Sequence, residues 1–298
     1  MKTRSKILLG TTVVYVGVMV LLVVIFGATR TDNAAFEPQN EFQLDTWIAL
    51  PGPFDINKAV LYVVIAAILT VATMMYVANR MQAHPNRVQT AVETLYGLMR
   101  DNITRGNMDD RMARKWFPFI GTLFLFIWFS NLIGYLPLPT NTEHPIEIFG
   151  IEFPAFAIYA ATANISIPLV LALVVFISYN LEGIRAKGVG GYLKSLIPQG
   201  ISGAAAVPIF VLEFLSNFMR LLSLSVRLFA NLLAGHLIIL FMSGGLAVLL
   251  GIEVLGWFTL PFGVVLFMFE LGLVATLQAF IFATLSAIYL GDAVAESH

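Results

Sequence analysis

Cysteine is absent from the 298 residues. That excludes disulfides, thiolate metal sites and cysteine nucleophiles. Charge is scarce too: Asp, Glu, Lys and Arg make up 12% of the chain, against about 25% in a soluble globular domain. The net charge is -1, so no basic excess points to a nucleic-acid partner. No Gly-rich phosphate loop is present, and no His, Asp or Glu cluster has metal-ligand spacing. The chain is therefore expected to use no cofactor or metal, and neither to bind nor to hydrolyse a nucleotide by itself. What is abundant is apolar: 58% of residues are hydrophobic and the mean hydropathy is +0.84. These residues cluster into runs long enough to span a bilayer, which a soluble core does not require. The expected fold class is all-α, a polytopic transmembrane helical protein.

The first apolar run, residues 7–27, follows Lys2, Arg4 and Lys6. It is longer than the usual signal-peptide core and lacks a small-x-small cleavage site. An uncleaved span is favoured over a leader. Residues 1–57 are accordingly read as an N-terminal span and external segment, and residues 58–298 as the main membrane domain. Further spans are expected over 59–78, 116–136 and 157–179, with an amphipathic surface helix around Val88–Met99. The segments 1–6, 80–115 and 181–198 are rich in Lys and Arg, whereas 28–57 and 138–156 are acidic. The positive-inside rule then places the N-terminus, both basic loops and the C-terminus on the cytoplasmic side of a cell membrane. Gly188, Gly190 and Gly191 are expected to make the loop after the fourth span flexible.

The last third is different. Residues 203–242 form one helical stretch of about 40 residues, or about 60 Å. Residues 257–290 form another of about 50 Å. The hydrocarbon core is only about 30 Å thick, so two long, steeply tilted helices are expected. They carry Glu213, Arg220, Arg227 and His236 on the first and Glu270 on the second. An Arg at mid-bilayer costs about 2.5–3.5 kcal/mol on insertion scales. Snorkelling or a buried ion pair accounts readily for Arg220 near a helix end. It does not account for Arg227, near the middle of its stretch.

On a helix, Glu213, Arg220 and Arg227 fall within about 40° of one another, with Ser223 and Asn231 about 40° to either side of Arg227. His236 points about 180° away and lies about 14 Å further along. Glu270 and Gln278 stand about two turns apart on the last helix. Two polar patches thus flank a guanidinium that never loses its proton. Such an arrangement suits a proton path in two halves, with leakage between them blocked by the fixed charge. The carrier between the halves must then be an acid on another chain.

The segment Ser223-Leu-Ser-Val-Arg227-Leu-Phe-Ala-Asn231-Leu-Leu-Ala-Gly-His236 resembles the signature of F-type ATP synthase subunit a. Asn131-Leu-Ile-Gly134-Tyr-Leu-Pro137, Thr162-Ala-Asn164-Ile-Ser, Gly188 to Lys194 and Gln278-Ala-Phe-Ile-Phe resemble further motifs of the same family. The resemblance implies a non-catalytic proton-translocating subunit in a bacterial plasma membrane. Its implied partners are a ring of c subunits, the b subunits of a peripheral stalk and membrane lipid. It assigns Arg227 to the ring's carboxylates, with Ser223 beside it. Asn231, His236, Glu270 and Gln278 fall to the periplasmic half-channel, and Glu213 and Ser216 to the cytoplasmic one. The chain departs from the family in having His then Glu at positions 236 and 270, where acid then His is common. Glu270 also precedes Gln278 by eight residues rather than about seven, and residues 7–27 are extra. A proton-coupled permease would need a midplane substrate site with broken helices and repeats, which the sequence does not display. A membrane scaffold would leave Arg227 unexplained.

Overall fold

The computed structural model describes residues 17, 46–48, 56–80, 87–136, 138–148, 151–157, 159–197, 205–247 and 253–295. The first expected span, 7–27, lies outside the described residues except for Gly17. Helices dominate, as expected. They are α1 Lys58–Arg80, α2 Arg87–Gly97, α3 Asp110–Ile133, α4 Ser166–Ser195, α5 Ala206–Leu240, α6 Glu253–Phe269 and α7 Ala275–Val294. A π turn, Leu98–Arg105, extends α2, a second, Phe241–Gly245, extends α5, and a third, Glu270–Val274, joins α6 to α7. Five helical stretches among the described residues are long and apolar enough to cross a membrane. The last two, Ala206–Ser243 and Leu255–Val294, run to 38 and 40 residues.

Two features differ from the sequence reading. The acidic segment after α3 is a hairpin of β3 Leu138–Ile148 and β4 Ile151–Ala157, which pair antiparallel. A smaller pair, β1 Thr46–Ile48 and β2 Ile56–Asn57, precedes α1. The fourth span starts later than 157, at Ser166, and the stretch to Ser195 consists of two helices joined at a kink. Its glycines therefore do not form an open loop. The helix breaks only at Gly188, where φ is 74° and ψ is 162°, a left-handed region where a side chain is strained.

The chain forms two compact units. The larger, residues 44–233 and 271–298, is built on Ile120, Phe124 and Ile127 of α3, which pack with Val175 of α4, Leu228 of α5 and Phe282 of α7. Two polar positions tie this core together. Asn131 is fully buried; its Nδ2 donates to the Ala275 carbonyl at 3.1 Å and its Oδ1 accepts from Thr162 Oγ1 at 2.9 Å. Three residues on, a Cβ at Gly134 would sit 2.7 Å from Ala160 Cα, so only glycine permits this approach. In the other unit, residues 234–270 include the end of α5 and all of α6. There a Cβ at Gly263 would fall 3.2 Å from the Met242 carbonyl. Small residues at such crossings let helix backbones approach closely inside a membrane.

Candidate functional site

The α5 helix exists because its residues from Val207 to Leu240 are overwhelmingly good apolar helix formers, with no proline beyond Pro208 in the first turn. Leu221, Leu224, Leu228 and Leu232 are buried on one face. The opposite face is exposed and holds Ser216, Ser223, Arg227 and Asn231. Their neighbours there are apolar: Leu215, Phe218, Met219 and Val226 are also exposed. Arg227 thus projects from a greasy surface, and among the described residues it has no ion pair. Arg220, one turn pair earlier, is different. Its Nη1 lies 4.0 Å from Asp292 Oδ2, and its guanidinium stands over the Tyr289 ring at 5.1 Å. Arg220 thus has an ion-pair partner, whereas Arg227 has none among the described residues.

Glu213 faces a polar cavity of about 370 Å³ that Arg220, Asn217, Tyr179, Tyr192 and Asp292 also line. A hydrogen-bonded chain forms one wall. Tyr179 Oη donates to Asn217 Oδ1 at 2.7 Å, Asn217 Nδ2 to Asn180 Oδ1 at 3.0 Å, and Tyr192 Oη to the same oxygen at 2.7 Å. The left-handed turn at Gly188 is what lets Tyr192 share α4 with Asn180 and still come back to it. Ser216 and Ser223 do not line this cavity.

In the smaller unit His236 is buried. Glu270 is half-buried, and its carboxyl group presses on the α5 backbone one residue before His236. A Cβ at Gly235 would fall 2.5 Å from Glu270 Cδ and 2.8 Å from Oε1. The absent side chain at Gly235 is the seat for this carboxylate. Glu270 also opens the π turn Glu270–Val274. Such a turn absorbs one residue beyond the α count, and π turns recur at functional positions. Gln278 itself is buried on α7.

The family model described as the ATP synthase A chain matches residues 60–291. The chain belongs to the ATP synthase A chain family. Among its relatives, subunit a of Paramagnetospirillum magneticum is 33% identical over 267 residues, covering 86% of this chain and 98% of that protein. Subunit a of Myxococcus xanthus is 34% identical over 262 residues, 84% of this chain and 78% of that one. The Pelagibacter ubique subunit a is 33% identical over 269 residues, 89% of this chain and all of that protein.

As a member of the ATP synthase A chain family, the protein is a membrane subunit of an ATP synthase. Two of the motifs that carried the resemblance meet in space, through the hydrogen bond from Thr162 to Asn131. Sequence reasoning missed Asn217, Asn180, Tyr179, Tyr192 and Asp292. Asn217 had a usable signal: it lies four residues after Glu213 and three before Arg220, on the same helical stripe. The others come from α4 and α7, and no local pattern brings them to α5.

Proposed function

We propose that this chain is the proton-channel stator of the Fo sector in a bacterial plasma membrane, with its N-terminus, basic loops and C-terminus in the cytoplasm. One observation carries the reading: Arg227 stands on an exposed apolar face with no ion pair among the described residues. A permanent cation there needs water or an anion supplied by another chain. Carboxylates on a ring of c subunits supply that anion as each passes. Asn231, His236, Glu270 and Gln278 serve the inlet from the periplasm. Glu213, with Ser216 and the Asn217 cavity, serves the outlet to the cytoplasm, and Ser223 flanks the arginine. Arg227 repels protons and so prevents them from passing straight from inlet to outlet, which couples their flow to rotation and ATP synthesis. The peripheral-stalk b subunits keep the chain from turning with the ring.

The test is Arg227→Ala in the assembled complex. Proton-driven ATP synthesis is lost while the c subunits still co-purify. Arg227→Lys fails as well, because a desolvated Lys can release its proton and lacks the guanidinium fork. Wild-type synthesis by either variant refutes the mechanism.

A further inference from the structure

We propose that two adjoining cavities beside Tyr96 and Phe117 together hold one anionic phospholipid, with its phosphate on Arg100, Arg105 and Arg114 and an acyl chain in the apolar space. The polar cavity, about 280 Å³, is lined by those three arginines with Tyr96, Ala113 and Phe117. The apolar one, about 480 Å³, is lined by Met74, Val92, Leu95, Met99 and Leu125, again with Tyr96 and Phe117. Both are of ligand size or close to it, on a scale of about 300–1,000 Å³. The Tyr96 and Phe117 rings meet edge to face at 4.9 Å and form the wall that the two cavities share.

Charge and depth both fit this ligand. Arg105 lies 3.3 Å from Asp101 and 3.5 Å from Asp110, and Arg100 lies 4.0 Å from Asp101. Neither acid lines the cavity, and Arg114 has no ion pair among the described residues. A phosphate accepts from such guanidinium groups through charge-assisted, often bidentate hydrogen bonds. Arg114 lies in the second turn of α3, a membrane-crossing helix. Phe117, Gly121 and Leu125 follow along the same helix, so the lining from Arg114 to Leu125 spans about 16 Å. That is about half of a 30 Å hydrocarbon core, the depth of one leaflet. A charged mouth at the surface and a greasy shaft beneath it match a headgroup and its chain. Juxtamembrane basic clusters attract anionic lipid in the same way.

The test solubilises the protein in mild detergent with whatever subunits accompany it, and counts bound phospholipid by native mass spectrometry. Phosphatidylglycerol is expected to be retained at least tenfold better than phosphatidylcholine. The triple variant Arg100→Gln, Arg105→Gln, Arg114→Gln is expected to lose that preference. Gly121→Leu, with all three arginines intact, is expected to lose the lipid by filling the apolar cavity; a Cβ at Gly121 meets nothing closer than 3.9 Å, so the fold accommodates the start of the side chain. Competition by inorganic phosphate together with normal phosphate binding in Gly121→Leu would overturn the proposal in favour of a free-anion site. An unchanged lipid count in the triple variant, or loss of a partner subunit from it with the lipid retained, would overturn it as well.

Discussion

Gly235→Ala isolates the placement of one carboxylate from the stability of the fold. The new methyl would stand 2.5 Å from Glu270 Cδ, whereas non-bonded carbons rest about 3.5–4.0 Å apart. The carboxyl group must therefore retreat by about 1 Å. It sits at the end of a flexible side chain, so an off-rotamer adjustment of about 0.5–1.5 kcal/mol accommodates the methyl. Exchanging a helical glycine for alanine returns about 1 kcal/mol, so assembly is expected to survive. If the same 0.5–1.5 kcal/mol appears in the barrier to proton transfer, flow falls by about twofold to tenfold. The assay is ATP-driven proton pumping in inverted vesicles, normalised to assembled complex. Gly190→Ala is the control, because a Cβ there meets nothing within 4 Å. Glu270→Asp sharpens the test through a double-mutant cycle. The shorter acid is expected to lower pumping in the native background and to raise it in Gly235→Ala, where it relieves the crowding. Wild-type pumping by Gly235→Ala, or no sign change for Glu270→Asp, would refute the idea that the Glu270 carboxylate works from its seat on Gly235.

Asn217→Leu is expected to slow proton pumping with assembly intact, since it removes both the acceptor for Tyr179 and the donor to Asn180. Asp292→Asn is expected to do much less, because the ion pair with Arg220 is long and exposed and such pairs contribute about 0–1 kcal/mol. Asn131→Ala is expected to destabilise the subunit by about 1–3 kcal/mol, read as a lower thermal midpoint of the purified complex, with Thr162→Ala costing less. Lys115→Met is expected to be worse than Glu182→Gln. Lys115 and Glu182 form an ion pair in which Glu182 is 7% exposed and Lys115 53%, so losing the Lys leaves a buried carboxylate uncompensated, a loss of about 3–5 kcal/mol, while losing the acid leaves a cation that water can solvate. Expression level and thermal midpoint rank the two variants.

The parts of this structure that were legible in the sequence are those governed by short-range rules. Span lengths follow from apolar runs and a fixed rise per residue, and they held for α1, α3 and the two long C-terminal stretches. The stripe from Glu213 through Arg227 to Asn231 follows from helical periodicity alone. Helical periodicity also indicated the helix α2, Arg87–Gly97. The reading went astray where glycine clusters and acidic residues stood for loops. Gly190 and Gly191 remain helical because only Gly188 needs a left-handed backbone; that residue ends the first helix of α4 at a kink, and a second helix runs on to Ser195. The hairpin at 138–157 escaped detection because its Glu and Pro residues disguise the pairing.

The remaining part of the site depends on contacts between segments far apart in the chain, which no periodic pattern encodes. Asn131 and Thr162 are 31 residues apart, Tyr179 and Asn217 are 38 apart, and Gly235 meets Glu270 from another helix. Asn131 and Thr162 are fully buried, where an unmatched donor or acceptor is costly, and the other two contacts are partly buried. Polar residues inside apolar runs are therefore the signal that a sequence does carry: each one requires a partner, and the fold supplies it from elsewhere in the chain. Asn131 finds Thr162 and Ala275, and Arg220 finds Asp292. Arg227 and Glu213 both lack an ion pair among the described residues; on the mechanism proposed above, a carboxylate of another chain meets the first, while the second faces the polar cavity.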